Sequence, residues 1–167
     1  DVAIDLTLIP YHGKPSEDEE ELYHSAPKSG TTKFHAYATA CVVHKGQRYT
    51  LALTRVTKGE KMRDVTKRLL KQVRARGVKI RVLLADKGFF CADVVSLLKQ
   101  MNCPFLIAVA LRGRKPKGRK KPKGVRQFLN KKAGWHAYSM RDSKGWSNKL
   151  SICVAYRTFR HEKTQKK

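Results

Sequence analysis

Acidic side chains are scarce in this sequence: 13 aspartates and glutamates stand against 37 lysines and arginines, leaving a formal net charge of +24. That imbalance excludes a polycationic partner and fits a polyanionic one, because each Lys or Arg that neutralises a phosphate releases condensed counterions. Nucleic acid is the expected partner, ahead of an anionic membrane surface. Cysteine is equally sparse. Cys41, Cys91, Cys103 and Cys153 show no C-x-x-C spacing, and none of the six histidines falls at a ligand distance from them, which argues against structural zinc and against a disulfide framework. Buried, reduced thiols are expected instead. No apolar run approaches the ~18 residues of a membrane span and no signal peptide opens the chain, so a soluble, intracellular protein is expected.

What is present is one core's worth of apolar residues, 41% of 167, opposed by the self-repulsion of so much positive charge. The opening run Val2-Ala3-Ile4-Asp5-Leu6-Thr7-Leu8-Ile9 reads as a central strand, closed by Pro10 and Gly13. Glu17 to Glu21 collects five of the thirteen acids, and with Pro27-Lys28-Ser29-Gly30 it reads as a solvated loop. Phe34 to Val43 and Tyr49 to Val56 are β-rich runs joined across His44-Lys45-Gly46-Gln47-Arg48 as a hairpin. Thr57-Lys58-Gly59-Glu60 has the form of a capping box, and Met62, Val65, Leu69, Leu70 and Val73 recur at helical spacing until Gly77. Residues 79 to 85 read as a buried strand, 91 to 101 as a second helix and 105 to 111 as a further strand. The order β-β-β-α-β-α-β describes a mixed α/β layer of the RNase H-like type, an antiparallel meander feeding a parallel part.

From Arg112 the composition changes. Arg112, Arg114, Lys115, Lys117, Arg119, Lys120, Lys121, Lys123, Arg126, Lys131 and Lys132 are eleven positive charges with no intervening acid, broken by Pro116, Gly118, Pro122 and Gly124. Such a tract forms no core. It lies between two apolar segments, which favours an internal loop that tracks phosphates over a solvated tail. Trp135 to Met140 and Leu150 to Phe159 then read as a hairpin turning at Asp142-Ser143-Lys144-Gly145, with Trp135 and Trp146 packing its small layer in preference to the alternative of stacking on bases. The division expected is a core over 1–111 and a basic loop with a β-hairpin insertion over 112–167.

Two aspartates stand apart. Asp5 is embedded in the first strand, and Asp86 ends the run Ile80-Arg81-Val82-Leu83-Leu84-Ala85 before Lys87-Gly88-Phe89. A carboxylate in apolar surroundings is costly unless it is paired, hydrogen-bonded or bound to a cation. Taken singly, Asp5 suits an ion pair with a buried base and Asp86 a helix N-cap. Taken together on adjacent strands of a +24 chain, they suit a site for hard cations, Mg²⁺ or Mn²⁺, since like charges repel unless a cation lies between them. Glu60 and Asp64 are explained by the capping box and helical spacing, Asp93 by the helix dipole, and Thr7 as a β-position residue.

Ala3-Ile4-Asp5-Leu6-Thr7, Leu83-Leu84-Ala85-Asp86-Lys87-Gly88-Phe89 and the lysine-rich segment with its hairpin resemble, in that order, the catalytic domain of a DDE-type transposase from a bacterial or archaeal insertion sequence. The resemblance spans most of the chain. It implies an RNase H-like fold in which three carboxylates hold two Mg²⁺ or Mn²⁺ ions, with Asp5 bridging both and Asp86 ligating one. It also implies cleavage at transposon ends and strand transfer into target DNA, double-stranded DNA as partner, and a homodimer in the synaptic complex. The sequence departs from the family at its late signature, Tyr-x-x-Arg-x-x-x-Glu. From Tyr156 the corresponding positions hold Phe159 and Lys163, and Glu162 is out of register. The third carboxylate is therefore expected beyond residue 167, the chain being a fragment that is inactive alone. Another RNase H-like nuclease, or a non-catalytic binding protein descended from a transposase, are the competing functions.

Overall fold

The computed structural model describes residues 1–14, 21–111 and 121–156. Six strands among them form one mixed sheet, with β1 (Val2–Pro10) at its centre. β3 (Thr31–His44) runs antiparallel to β1 along its whole length, from Val2 opposite Val42 to Pro10 opposite Phe34. At 14 residues β3 is long enough to carry two partners on its other edge. β2 (Tyr23–Lys28) pairs with its beginning and β4 (Gln47–Val56) with the remainder. On the opposite edge of β1 lie β5 (Leu83–Ala85) and then β6 (Phe105–Ile107), both parallel. A meander on one side and crossover strands on the other give the arrangement expected of the RNase H-like fold.

Two tight turns fix the meander's register. Ser29 and Gly30 lie at φ 52° and 77°, and Lys45 and Gly46 at 48° and 78°. Each pair closes a two-residue hairpin in which both central residues need positive φ, and glycine takes the second position at no steric cost. The first hairpin corrects the reading of Pro27-Lys28-Ser29-Gly30 as loop: only Ser29 and Gly30 form the turn, and Pro27 and Lys28 belong to β2. A short strand rich in His, Ser, Pro and Lys has no apolar periodicity to announce it, and it exists because β3 offers a free edge.

One face of the sheet is dry. Val2 and Ile4 of β1, Ala36, Ala38 and Ala40 of β3, Ala52 and Val56 of β4, and Leu83 of β5 are all at most 3% exposed. The three alanines let α1 (Met62–Ala75) lie close over β3 and β4, with Val65, Leu69, Leu70 and Val73 buried beneath it. α2 (Ala92–Gln100) buries Val94, Val95, Leu97 and Leu98 and packs beside α1. Burying each such aliphatic side chain contributes roughly 1.5–3 kcal/mol against the repulsion among the basic groups.

Several expectations change at the element ends. The helix starts at Met62, not at Thr57: the Thr57 amide does donate to Glu60 Oε2 (3.3 Å), but this closes a turn through Gly59 (φ 75°) ahead of the helix. Glu60 instead pairs with Arg68, whose Nε donates to Thr54 Oγ1 and whose Nη2 donates to the Arg55 carbonyl (2.6 and 2.8 Å), tying α1 to β4. β5 and β6 are three residues each rather than seven, their strand pairing limited to Leu83–Ala85 and Phe105–Ile107. Of the four free cysteines Cys41 and Cys103 are buried, whereas Cys153 is exposed.

The described residues divide into two compact units, those within 1–110 with 141–148, and those within 111–140 with 149–156. The second contains most of a two-stranded sheet, β7 (Gly134–Arg141) and β8 (Ser147–Val154). Part of the tract read as coreless is ordered there. Residues Gly124–Phe128 form a 3-10 turn with Val125 and Phe128 buried, and the Phe128 ring meets those of His136 and Tyr138 at 5.9 and 5.6 Å. The tryptophans do not plug this layer: Trp135 and Trp146 are 69% and 70% exposed. Inward positions of β7 belong to His136, Tyr138 and Met140, so the alternation sends Trp135 outward.

In the first unit, the 141–148 turn is pinned to α2. Asp93 Oδ1 accepts from the Ser143 amide and hydroxyl, both at 2.8 Å. Asp142 Oδ1 accepts from the amides of Lys144 and Trp146 (3.0 and 2.9 Å). These bonds, and one from Ser96 to Asp142, hold both carboxyls below the usual carboxylate range. Asp93 thus serves a tertiary tie, not only the helix dipole.

Glu60 supplies a test of the α1–β4 tie. The bond from Arg68 lowers its pKa from 4.5, so the folded state gains stability that is present above pH 4.5 and is lost as the pH falls through the lowered value. Urea midpoints of the wild-type protein are expected to drop over that acid range, and Glu60→Gln, lower at neutral pH, is expected to show a shallower fall.

Candidate active site

β5 stops at Ala85, directly opposite Ile4, and the site begins there. The Val2 amide donates to the Val82 carbonyl (3.0 Å), so alternate amides of β1, those of Ile4 and Leu6, point toward β5. Leu6 has no residue of β5 to meet. Its amide is taken by the side chain of the preceding residue, Asp5 Oδ1, at 2.9 Å. One residue past Ala85 the chain breaks away into a 3-10 turn (Lys87–Phe89) capped by Asp86, whose Oδ1 accepts from the Gly88 amide at 2.8 Å. The two aspartates therefore sit one residue beyond a paired position on neighbouring parallel strands, at the carboxyl end of β5, with strand axes about 4.8 Å apart. Crevices outside the carboxyl ends of parallel strands are where ligands bind in open α/β sheets.

Each carboxylate is held in the same way, by one oxygen on a nearby backbone amide. Among the described residues, neither Asp5 nor Asp86 has an ion pair or a bond to its other oxygen. The ion-pair reading of Asp5 thus finds no support, whereas the capping reading of Asp86 holds and leaves Oδ2 available. The setting is wetter than the apolar sequence suggested: Asp5 is half-buried and Asp86 exposed, because the strand that would cover them has ended. Thr7 makes no bond to Asp5.

Both acids line one open groove of about 630 Å³, with Ala3, Cys41, Arg48, Leu84 and Leu106 along it. It occupies the face of the sheet opposite the helices. Register sets Ala3 beside Cys41 and Leu84, and Leu84 beside Leu106, so these side chains share the Asp5 face. Leu53 and Leu106 on that face are 56% and 59% exposed. Hard, unpaired carboxylate oxygens in this number and placement fit Mg²⁺ or Mn²⁺ better than a softer ion. No group of three His, Cys, Asp or Glu side chains placed to hold a metal ion occurs among the described residues.

The basic residues expected at a phosphate-tracking loop fall mostly outside the described residues: Arg112, Arg114, Lys115, Lys117, Arg119 and Lys120 do so, as does Glu162. Lys121 and Lys123 are described and exposed. Sequence reasoning missed Arg48 and Cys41, which only the pairing register brings beside Asp5.

The family model for the transposase DDE domain matches residues 1–161. The chain belongs to that family. Among solved structures, this DDE domain is similar to a piggyBac transposase, determined as a synaptic complex with hairpin DNA, at 16% identity and a TM-score of 0.50. The alignment covers 96% of this chain and 34% of that one, so the chain spans about a third of the neighbour's length, and the likeness is one of fold. No curated protein matches. No helix among the described residues is long and apolar enough to cross a membrane.

Gly88 offers a probe of the site that leaves the acids in place. A Cβ there would lie 3.0 Å from Asp86 Oδ1, while its φ is unexceptional. Gly88→Ala is expected to push the Asp86 carboxylate off the amide and to weaken Mn²⁺ binding roughly ten-fold, with the urea midpoint nearly unchanged. Manganese titration by electron paramagnetic resonance measures the first, and denaturation the second.

Proposed function

We propose that this DDE domain is the chemical core of a DNA transposase, cutting transposon ends and joining them to target DNA, with Asp5 and Asp86 as its metal ligands. The observation that carries this reading is the pair of carboxylates at the end of the β1–β5 ladder, each with one oxygen bound to backbone and the other without a protein partner among the described residues. Membership of the DDE family agrees with it.

Two Mg²⁺ or Mn²⁺ ions would supply activation of the attacking oxygen and charge stabilisation of the departing one at a phosphodiester. Asp5, nearer the sheet centre, and Asp86 would hold these ions. The chain's own contribution is positional. Leu6 and Gly88 amides fix both carboxylates before a substrate arrives, so no reorganisation is needed during the reaction. Hydrolysis at an end and attack by the freed 3′-hydroxyl are both in-line displacements, and one such site serves both.

A third carboxylate, carried by a helix lying over the two acids, would complete the site. The open groove face supports this. Leu53 and Leu106 are exposed on either side of the acids, where an amphipathic helix could bury them while presenting an acid to Asp5 and Asp86. Double-stranded DNA, both transposon ends and target, is the substrate, and a homodimer in a synaptic complex is the working assembly, as the structural neighbour's synaptic complex suggests. The run from Arg112 to Lys123 tracks the phosphates of that DNA. A non-catalytic DNA-binding role is the second reading, favoured by the two-acid site among the described residues.

Asp5→Asn and Asp86→Asn each remove a ligating charge with little change of shape. Each is expected to abolish Mg²⁺-dependent cleavage and strand transfer of end-bearing DNA while duplex binding stays within about two-fold. Cleavage retained by either variant excludes the metal assignment. Cleavage absent from the wild type as well favours the non-catalytic role.

The basic run is tested separately. Replacing Lys115, Lys117, Arg119, Lys120 and Lys121 by Ala is expected to weaken binding about equally across DNA sequences. The slope of log K against log salt is expected to fall by about 0.9 for each phosphate no longer neutralised. An unchanged slope would move the phosphate-binding role elsewhere, the basic outer face of α1 being the next candidate.

A further inference from the structure

One cation shares the groove with the two aspartates. Arg48 is exposed, lies at the start of β4 opposite Val43, and sends its guanidinium back along the Asp5 face. There its Nε donates to Cys41 Sγ at 3.0 Å. Cys41 is 1% exposed and stands directly opposite Ala3, two residues before Asp5 on β1. Two residues of strand advance about 7 Å. The guanidinium is thereby stationed about that far from the Asp5 position along the strand axis, comparable to the separation of consecutive phosphates along one nucleic-acid strand.

The manner of its restraint matters. An arginine fixed by a carboxylate has its charge neutralised by that partner, whereas the thiol sulfur of Cys41 takes a single N–H and no charge. Of the five guanidinium N–H groups, the four on the two terminal nitrogens have no partner among the described residues, and no acid there pairs with Arg48. A planar fork with free donors and full charge is the geometry that binds a phosphate bidentately. Apart from Arg48, Cys41 and the two acids, the groove is lined by apolar residues, among them Ala3, Leu84 and Leu106.

We propose that Arg48 grips the phosphate adjacent to the one held at Asp5 and Asp86, and that Cys41 acts as its positioning residue, making the groove a two-phosphate site. The inference rests on the metal reading of the two aspartates, and its test separates the two. The probe is thymidine 3′,5′-bisphosphate, which carries two phosphates on one sugar, compared with thymidine 5′-monophosphate, which carries one. Each is titrated calorimetrically into the protein with and without Mn²⁺.

With Mn²⁺ the bisphosphate is expected to bind the wild-type protein about ten-fold or more tightly than the monophosphate, the increment of one charge-assisted hydrogen-bonded phosphate. Arg48→Ala is expected to erase that advantage while leaving monophosphate affinity unchanged. Arg48→Lys keeps charge without the fork and is expected to retain only part of it. Cys41→Ala keeps the guanidinium but frees it, and is expected to fall to the Arg48→Lys level, with circular dichroism confirming the fold. A bisphosphate advantage that persists in Arg48→Ala overturns the proposal for Arg48 and leaves the metal reading standing. Binding of either nucleotide that is indifferent to Mn²⁺ and to Asp5→Asn overturns the metal reading, and with it the two-phosphate site.

Discussion

The early end of β5 is the constraint on which the site depends. Had the strand continued two residues, it would have taken the Leu6 amide into the ladder and covered Asp5 with backbone. Because it stops at Ala85, the amide is left to the Asp5 carboxylate and the Asp86 side chain turns to cap the next loop. Two acids are then fixed beside one another at an opening in the sheet, each by the nearest available donor. A backbone amide adjacent in sequence cannot drift away from its acceptor, so the geometry holds even in a chain whose net charge strains it.

That charge and these acids are complementary. A surface of +24 concentrates polyanions around the molecule, and the two aspartates form a small negative centre within it. Most other acids near the core are engaged in structural bonds: Glu60 with Arg68, Glu21 with Arg55, Asp1 with Arg81, and Asp93 with Ser143. Asp5 and Asp86 are set apart by bonding only to amides, which leaves their charge for a ligand.

The outline of the fold was legible because its main elements follow their hydrophobic periods. The alternation from Phe34 to Val56 and the helical spacing from Met62 to Val73 each lead to one structure. Asp5 and Asp86 were legible for a related reason, as charges interrupting apolar runs. What escaped was non-local. β2 has no apolar pattern and is induced by the free edge of β3. The Thr57-x-x-Glu60 box formed its bond but in a turn before the helix, since Gly59 takes a positive φ that a helix does not use. The outward tryptophans follow from which face of β7 meets Phe128. Arg48 and Cys41 are seven residues apart in sequence, and only the hairpin register, with its irregularity after Ala40, stacks one on the other.

The pinned turn at Asp142 has a consequence for the protein's modularity. Chain connectivity passes between the two compact units at 110/111, at 140/141 and again at 148/149, because the hairpin lends its tip to the first unit and keeps its strands in the second. The chain therefore crosses between the two units three times rather than once. Cutting the gene after residue 110 would remove Ser143 and strip the Asp93 carboxylate of both its donors, so the shorter piece is not simply the core with a loop trimmed off. Asp93 and Ser143 thus tie the hairpin tip to α2 across fifty positions of sequence.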